Sequence, residues 1–288
     1  MNGANQEITY YQVDINHCRR IRAETIVETP VSLTVNGEVW LSFMCTPVDL
    51  EAMAVGFLFN EGMIQSADEI ASVRLCPAGD NVDIWLYHEV RKPTAWRRTS
   101  GCTGGVTAVE EEILPSDQLP KIYNGAPLSA RQVSELIDQL FDSQNLYRKS
   151  GGVHTSALSD GLKIHVISED IGRHNTLDKI AGRCLLEEIH LARRVLLTTG
   201  RISSEMLQKA ARLGAAVVIS RTSPSSLSIK LAERFGITLI GYARRTGFRL
   251  YTHPERILFP SSSHNTSSDT ETGEPCVSPA QGNYDGLG

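Results

Sequence analysis

From residue 31 to 45 apolar and polar positions alternate, VSLTV and then EVWLSFMC, on either side of Asn36-Gly37. Both residues of such a turn adopt positive φ, so the pattern predicts a β-hairpin. The next stretch, T-P-V-D-L-E-A-M-A-V-G-F-L (46–58), changes period. Leu50, Met53, Ala54, Phe57 and Leu58 fall on one helical stripe, which predicts a helix packed on that sheet. Thr46 is expected to cap it, Pro47 to take its first position, Asp49 to supply the acid of a capping box and Gly62 to end it. Residues 82–87 read as a further strand. Residues 91–127 are rich in Arg, then Gly, then Pro, and read as a long loop and linker.

From Leu128 the pattern alternates between helix and strand. Ser129 and Gln132 open a helix whose apolar face is Val133, Leu136, Ile137, Leu140 and Phe141. Strands at 154–158 and 163–168 flank Asp160-Gly161, a second hairpin signal. A helix follows over about 175–187, with Leu177, Ile180, Ala181, Cys184 and Leu185 facing inward. Then come strand 195–199, helix 204–213, strand 216–220, helix 225–235 and strand 237–242. Such alternation with short apolar strands implies an α/β fold with a mostly parallel, covered sheet. After Pro260 the chain is short of aliphatics and full of Ser, Thr, Gly and Pro, a composition that does not bury enough apolar surface to fold. The expected division is a smaller β-rich α+β domain with its linker (1–127), an α/β domain (128–260) and a disordered tail (261–288).

Composition adds limits. The chain of 288 residues is 41% hydrophobic and 21% charged, with net charge -5, which suits a globular protein and argues against a nucleic-acid coat. No apolar run approaches the roughly 20 residues of a membrane span, and the first residues lack a basic start with an apolar core. The cytoplasm is therefore the expected compartment. The six cysteines are scattered with no C-x-x-C pair, so reduced thiols are expected rather than disulfides or a zinc site.

Three stretches carry candidate chemistry. In S-G-C-T-G-G (100–105), glycines leave Cys102 approachable, and Arg97 and Arg98 upstream favour its thiolate. An inert loop cysteine is the alternative. E-D-I-G-R-H-N-T-L-D-K (169–179) gathers Glu169, Asp170, Arg173, His174, Asp178 and Lys179 where an α/β sheet keeps its site. The alternative is a helix cap, with Asn175 or Asp170 capping and the rest solvated. His154, after Gly151-Gly152, is weaker and reads more readily as structural. Y-A-R-R-T-G-F (242–248) places Arg244 and Arg245 beside a glycine after the last core strand, which suits a phosphate. With Thr199-Gly200-Arg201 and the Thr222 loop, residues 243–248 are expected to line one nucleotide crevice, near 169–174. Ordinary turn chemistry explains the small residues equally well, but not Arg201, Arg244 and Arg245.

In their order along the chain these motifs resemble the FdhD family of formate dehydrogenase accessory sulfurtransferases. The matching stretches are E-T-P-V-S-L-T-V-N-G (28–37), T-P-V-D-L-E-A-M-A-V-G-F-L-F-N-E-G (46–62), S-G-C-T-G-G (100–105) and G-G-V-H-T-S-A (151–157). They continue through E-D-I-G-R-H-N-T-L-D-K (169–179), G-R-I-S-S-E-M (200–206) and Y-T-H-P-E-R-I (251–257). The resemblance implies a cytidine-deaminase-like C-terminal domain. It also implies a sulfurtransferase that takes sulfur as a persulfide from a cysteine desulfurase. The sulfur would pass to the bis-molybdopterin guanine dinucleotide form of the molybdenum cofactor, before that cofactor enters formate dehydrogenase. On this resemblance the persulfide cysteine is Cys102, and the cofactor-binding segment is Ala243, Arg244, Arg245, Thr246, Gly247 and Phe248. Arg201, Thr222 and His174 join that segment as expected cofactor contacts. Some members carry C-x-x-C in the loop; here the second position is Gly105, which leaves a one-cysteine carrier.

Two other readings compete. A zinc deaminase needs H-x-E and P-C-x-x-C, whereas the chain has His154-Thr155-Ser156 and no C-x-x-C. A non-catalytic chaperone for the cofactor would use the same pocket, and only the fate of Cys102 separates it from a carrier. No nucleic-acid or membrane partner is expected, and the oligomeric state stays open, with a homodimer allowed.

Overall fold

The computed structural model describes residues 3–94, 96–98, 106–108, 119–123 and 125–259. Cys102 and the tail from 260 onward lie outside the described residues.

The chain begins with a ribbon that the sequence pattern did not signal. Strand β1 (Asn5–Val13) pairs antiparallel with β2 (Cys18–Ile26), residue by residue from Asn5↔Ile26 to Val13↔Cys18. Both faces of this ribbon are largely exposed, so no strong period marks it. The expected hairpin follows as β3 (Thr29–Val35) and β4 (Glu38–Cys45), with Asn36 at φ 48 and Gly37 at φ 82. Helix α1 (Leu50–Asn60) leads to β5 (Ile70–Leu75) and β6 (Asn81–Leu86). The sheet order is β4-β3-β6-β5, and Leu33, Phe43, Met53, Phe57 and Ile84 fill its core.

The start of α1 departs from expectation. Its N-cap is Asp49, in a left-handed conformation (φ 51) and without a side-chain cap bond. Thr46 is drawn elsewhere: its amide donates to Asp170 Oδ2 (3.0 Å), and its hydroxyl accepts from the Ile171 amide (3.2 Å). A long-range backbone donor, the Ile171 amide, has outcompeted the local cap for the hydroxyl. Nor does α1 bury a single stripe, because Ala52, Val55, Gly56 and Asn60 are buried as well. Gly62 (φ 77) does end it.

Within the expected loop, β7 (Trp96–Arg98) and β8 (Val106–Ala108) pair antiparallel, with Arg98 opposite Val106. Further on come β9 (Leu128–Ser129), α2 (Ala130–Asp142), α3 (Leu146–Ser150), β10 (His154–Ser159) and β11 (Ile164–Asp170). Ser129 and Gln132 make the expected capping box on α2. Helix α4 (Arg173–Leu186) is followed by β12 (Val195–Thr198), α5 (Ser204–Arg212), β13 (Val217–Ser220), α6 (Ser226–Phe235) and β14 (Thr238–Arg244). The described residues close with β15 (Gly247–Leu250) and β16 (Ile257–Leu258), the latter parallel to β9.

The larger sheet runs β11-β10-β12-β13-β14-β15. Its β12, β13 and β14 are mutually parallel, as expected; β10, β11 and β15 join antiparallel. This α/β arrangement is compatible with a cytidine-deaminase-like fold. Helices α4, α5 and α6 cover one face and α2 the other. Helix α4 also packs on α1, so the two helices join both sheets. Among the described residues no helix is long and apolar enough to cross a membrane.

Candidate functional site

Stretch 169–179 separates into residues that join the two sheets and residues that reach the sheet's carboxyl edge. Asp170 and Lys179, both with side chains at 0% exposure, form an ion pair of 2.7 Å. Asp170 Oδ1 also accepts from the Gly172 amide (2.7 Å) and Asn175 Nδ2 (2.8 Å), while Lys179 donates to the Thr46 carbonyl (3.1 Å). Asp178 is held by Lys209 (2.6 Å) and Asn60 (2.7 Å). Glu169 accepts from the amides of Asn145, Leu146 and Tyr147, and so ties the start of α3 to β11. Asp170 and Asn175 do help shape the start of α4, but Arg173, His174, Asp178 and Lys179 are buried rather than solvated, with Glu169 half-buried.

Arg173 and His174 lie at the other end of the stretch's reach. After β12 and β13 the chain makes two similar turns, Arg201-Ile202-Ser203 and Ser223-Pro224-Ser225. Ile202 and Pro224 form a parallel bridge, and the Ser225 amide donates to the Ile202 carbonyl (2.9 Å). Ser203 caps α5 through the Met206 amide, and Ser225 caps α6 through the Ser228 amide. Between these turns and the start of α4 opens a cleft of about 420 Å³, walled by Arg173, Arg201, Ser203, Ser223 and Ser225 among others. Gly200 makes room for Arg173, because a Cβ there would stand 2.9 Å from Arg173 Cβ.

Two histidines back this wall. His174 is 1% exposed, with Nε2 3.5 Å from Ser203 Oγ and Nδ1 without a hydrogen-bond partner. Burial pushes its pKa well below 6.5, aided by Lys209, Arg173 and His154. His154, 3.4 Å from Thr199 Oγ1, is lowered by burial and by Arg173 and Arg201. Both rings are thus neutral near pH 7, and the cleft's charge comes from its guanidinium groups. Two arginines, two helix N-termini and serine hydroxyls form a surface suited to phosphate.

The 242–248 stretch is placed differently. It forms the tight hairpin between β14 and β15, with Arg244 opposite Gly247. Neither it nor Thr222 is on the cleft wall. Ala243 is fully buried in the α2-side core, and Phe248 packs against that core. Arg245 bonds Asp138 of α2 (2.9 Å), while Arg244 and Thr246 are exposed. Thr222 spends its amide and hydroxyl on Ser220 and its carbonyl on the Tyr242 amide. The expected single crevice therefore holds Arg201, with His174 behind it. The hairpin sits at the same edge of the sheet but turns toward α2.

Over residues 26–258 the sequence matches the FdhD/NarQ family. The chain belongs to that family. A sulfur carrier protein FdhD from Staphylococcus aureus strain MRSA252 is 35% identical over 239 residues, covering 81% of this chain and 89% of the relative. The same protein from strain Newman is 34% identical over the same length. A solved structure, that of a candidate formate dehydrogenase accessory protein from Desulfotalea psychrophila, aligns with TM-score 0.71 and 30% identity. It covers 88% of this chain and 100% of that one.

For an FdhD/NarQ chain the cysteine inventory is informative. Burial pushes the Cys45 thiol up to about 12, with Asp170 adding to it, and burial pushes Cys184 up to about 11. Neither forms a thiolate near neutral pH, so neither is a nucleophile. Cys76 donates to Asp80 (2.9 Å) and Cys18 is exposed on the ribbon. Among the described residues no group of three or more His, Cys, Asp or Glu side chains is placed to hold a metal ion. Ser203, which sequence reasoning passed over, had a legible signal: R-I-S-S and S-P-S-S stand at equivalent places after consecutive strands.

Proposed function

We propose that this protein is a sulfurtransferase, a sulfur carrier that serves formate dehydrogenase. It accepts sulfur from a cysteine desulfurase on Cys102 and passes it to the bis-molybdopterin guanine dinucleotide cofactor before insertion. The Cys102 thiolate attacks the terminal sulfur of the desulfurase persulfide. The S–S bond there breaks, the desulfurase thiolate leaves, and a new S–S bond forms on Cys102 with no net redox change. The observation that carries this reading is the similarity to proteins named as sulfur carriers, over a stretch that includes S-G-C-T-G-G. The high pKa values of Cys45 and Cys184 remove those two thiols from the candidates. A cytoplasmic setting suits a thiol that must stay reduced.

The cofactor is cargo in this reading. Its guanine dinucleotide phosphates fit the Arg173–Arg201 cleft, and the exposed Arg244 at the 243–248 hairpin extends the same sheet edge toward a second dinucleotide arm. The test is intact mass after incubation with a cysteine desulfurase and cysteine. A reducible gain of one sulfur is expected, absent in Cys102→Ala, together with loss of formate dehydrogenase activation in cells. Full activation by Cys102→Ser would instead favour the second reading, a cofactor chaperone, which the cleft suits equally. Guanosine diphosphate titration tests the cleft itself. A charge-assisted bond is worth roughly 1.5–3 kcal/mol, so Arg201→Ala should weaken binding about tenfold or more. Unchanged affinity would remove the cleft from the cofactor site.

A further inference from the structure

The two turns that wall the cleft share a backbone shape but not a chemistry. Ser203 caps α5 at φ -85 and ψ 174, and Ser225 caps α6 at φ -83 and ψ 159. Among the described residues Ser225 Oγ accepts from the Ser228 amide alone (3.2 Å). Ser203 Oγ accepts from the Met206 amide (3.4 Å) and has a second neighbour, His174 Nε2, at 3.5 Å.

That neighbour decides which way the Ser203 hydroxyl points. The His174 ring is neutral near pH 7, so one nitrogen carries a hydrogen and the other a lone pair. Nδ1 is buried and has no hydrogen-bond partner. The charged groups acting on the ring are Lys209 of α5 and Arg173, with His154 of β10 also facing it. Lys209 is itself held by Asp178, one turn along α4 (2.6 Å). A hydrogen on Nδ1 would be a buried donor without an acceptor, set in that positive field. A lone pair on Nδ1 is favoured by the same field. The hydrogen therefore sits on Nε2 and is donated to Ser203 Oγ.

A hydroxyl oxygen has two lone pairs and one hydrogen. The Met206 amide takes one lone pair of Ser203 and His174 Nε2–H takes the other. The remaining hydrogen turns out into the cleft that Ser203 walls. Ser225 keeps a free lone pair, so it offers either a donor or an acceptor.

We propose that His174 is a positioning residue for the cleft: by donating to Ser203 it fixes that serine as an obligatory donor to a bound phosphate oxygen. The chain from His174 N–H through Ser203 O–H to phosphate runs in one direction, and each bond polarises the next. His174 acts through Ser203 and makes no contact with the anion. The proposal rests on the reading that the cleft takes the cofactor's phosphates.

Calorimetric titration of guanosine diphosphate near pH 7 supplies the test, with Arg201→Ala as the check that the ligand is in the cleft. Ser203→Ala should weaken binding roughly tenfold, the loss of one hydrogen bond to a charged group. His174→Leu should weaken it several-fold, with no further effect once Ser203 is alanine. His174→Gln should restore most of what His174→Leu loses, because its amide nitrogen stands in for Nε2–H. His174→Asn, whose amide reaches only the Nδ1 position, should not. A ring with a merely structural role would weaken binding equally with and without the serine hydroxyl, so additive losses overturn the proposal. Nitrogen-15 spectra of the His174 ring, assigned by its absence in His174→Gln, test the wild type directly. The hydrogen is expected on Nε2; finding it on Nδ1 overturns the proposal even if the variants fold poorly. Binding that depends on Arg201 but shows additive losses removes His174 alone. Guanosine diphosphate that does not bind, or binds Arg201→Ala equally well, removes the cofactor reading of the cleft and this proposal with it.

Discussion

Gly56 on α1 and Gly182 on α4 meet backbone to backbone: a Cβ on Gly56 would stand 2.6 Å from the Gly182 nitrogen and 1.7 Å from the Asp178 carbonyl oxygen. The contact is reciprocal, since a Cβ on Gly182 would stand 1.8 Å from the Ala52 carbonyl oxygen. These two helices connect the two sheets, so their spacing also sets how Thr46 meets Asp170.

Gly56→Ala therefore has to push the helices apart. Overpacking of this kind costs about 1–3 kcal/mol, and backbone on the receiving side places this site at the upper end. At about 2–4 °C per kcal/mol for a chain of this class, a drop in Tm of several degrees is expected. Thermal unfolding by circular dichroism measures it. An unchanged Tm would show that the helix pair has slack.

Lys179→Met leaves the Asp170 carboxylate buried without its cation. Breaking a buried pair from one side costs about 3–5 kcal/mol. Asp170 keeps its bonds from the Thr46 and Gly172 amides and from Asn175 Nδ2, which holds the loss to the lower part of that range. The double variant Asp170→Asn, Lys179→Met should lose less than the sum of the two single changes, as a denaturant double-mutant cycle would show.

Acid should destabilise the protein through His174 and His154. Both have folded-state pKa values below 6.5, lowered first by burial. Their contribution is complete above pH 6.5. As pH falls from 6.5 toward the folded-state values, only the unfolded chain takes up the protons, at about 1.4 kcal/mol per pH unit for each group. Tm should therefore fall below pH 6.5, and His174→Gln should flatten part of that slope while His154 supplies the rest. Asp160, which despite burial is held at about 2 by the Lys163 amide and His165, loses its contribution only below its unfolded value of 3.8. The two windows are thus separable in a pH series. A slope identical in wild type and His174→Gln would remove His174 from this account.

The sequence by itself determined what is settled among near neighbours. Asn36-Gly37 fixes a hairpin because its two φ angles suit few other pairs, and Ser129 with Gln132 starts α2 by bonding within one turn. The strand–helix alternation from β12 to β14 was legible because short apolar strands and amphipathic helices carry different periods. Tertiary structure decided everything that depends on a distant partner. Thr46 reads as a helix cap until the Ile171 amide, 125 residues away, donates to its hydroxyl. Arg245 reads as a phosphate ligand until Asp138 of α2 engages it, and Arg173 reads as part of a solvated cap until Gly200 admits it to the cleft beside Arg201. The ribbon escaped notice because neither face is fully buried, so little alternation is imposed on it. The physical reason is common to the three side chains. Bonds within a turn need little chain ordering, so residue type alone selects them, whereas a charge chooses among partners that only the folded chain brings within reach.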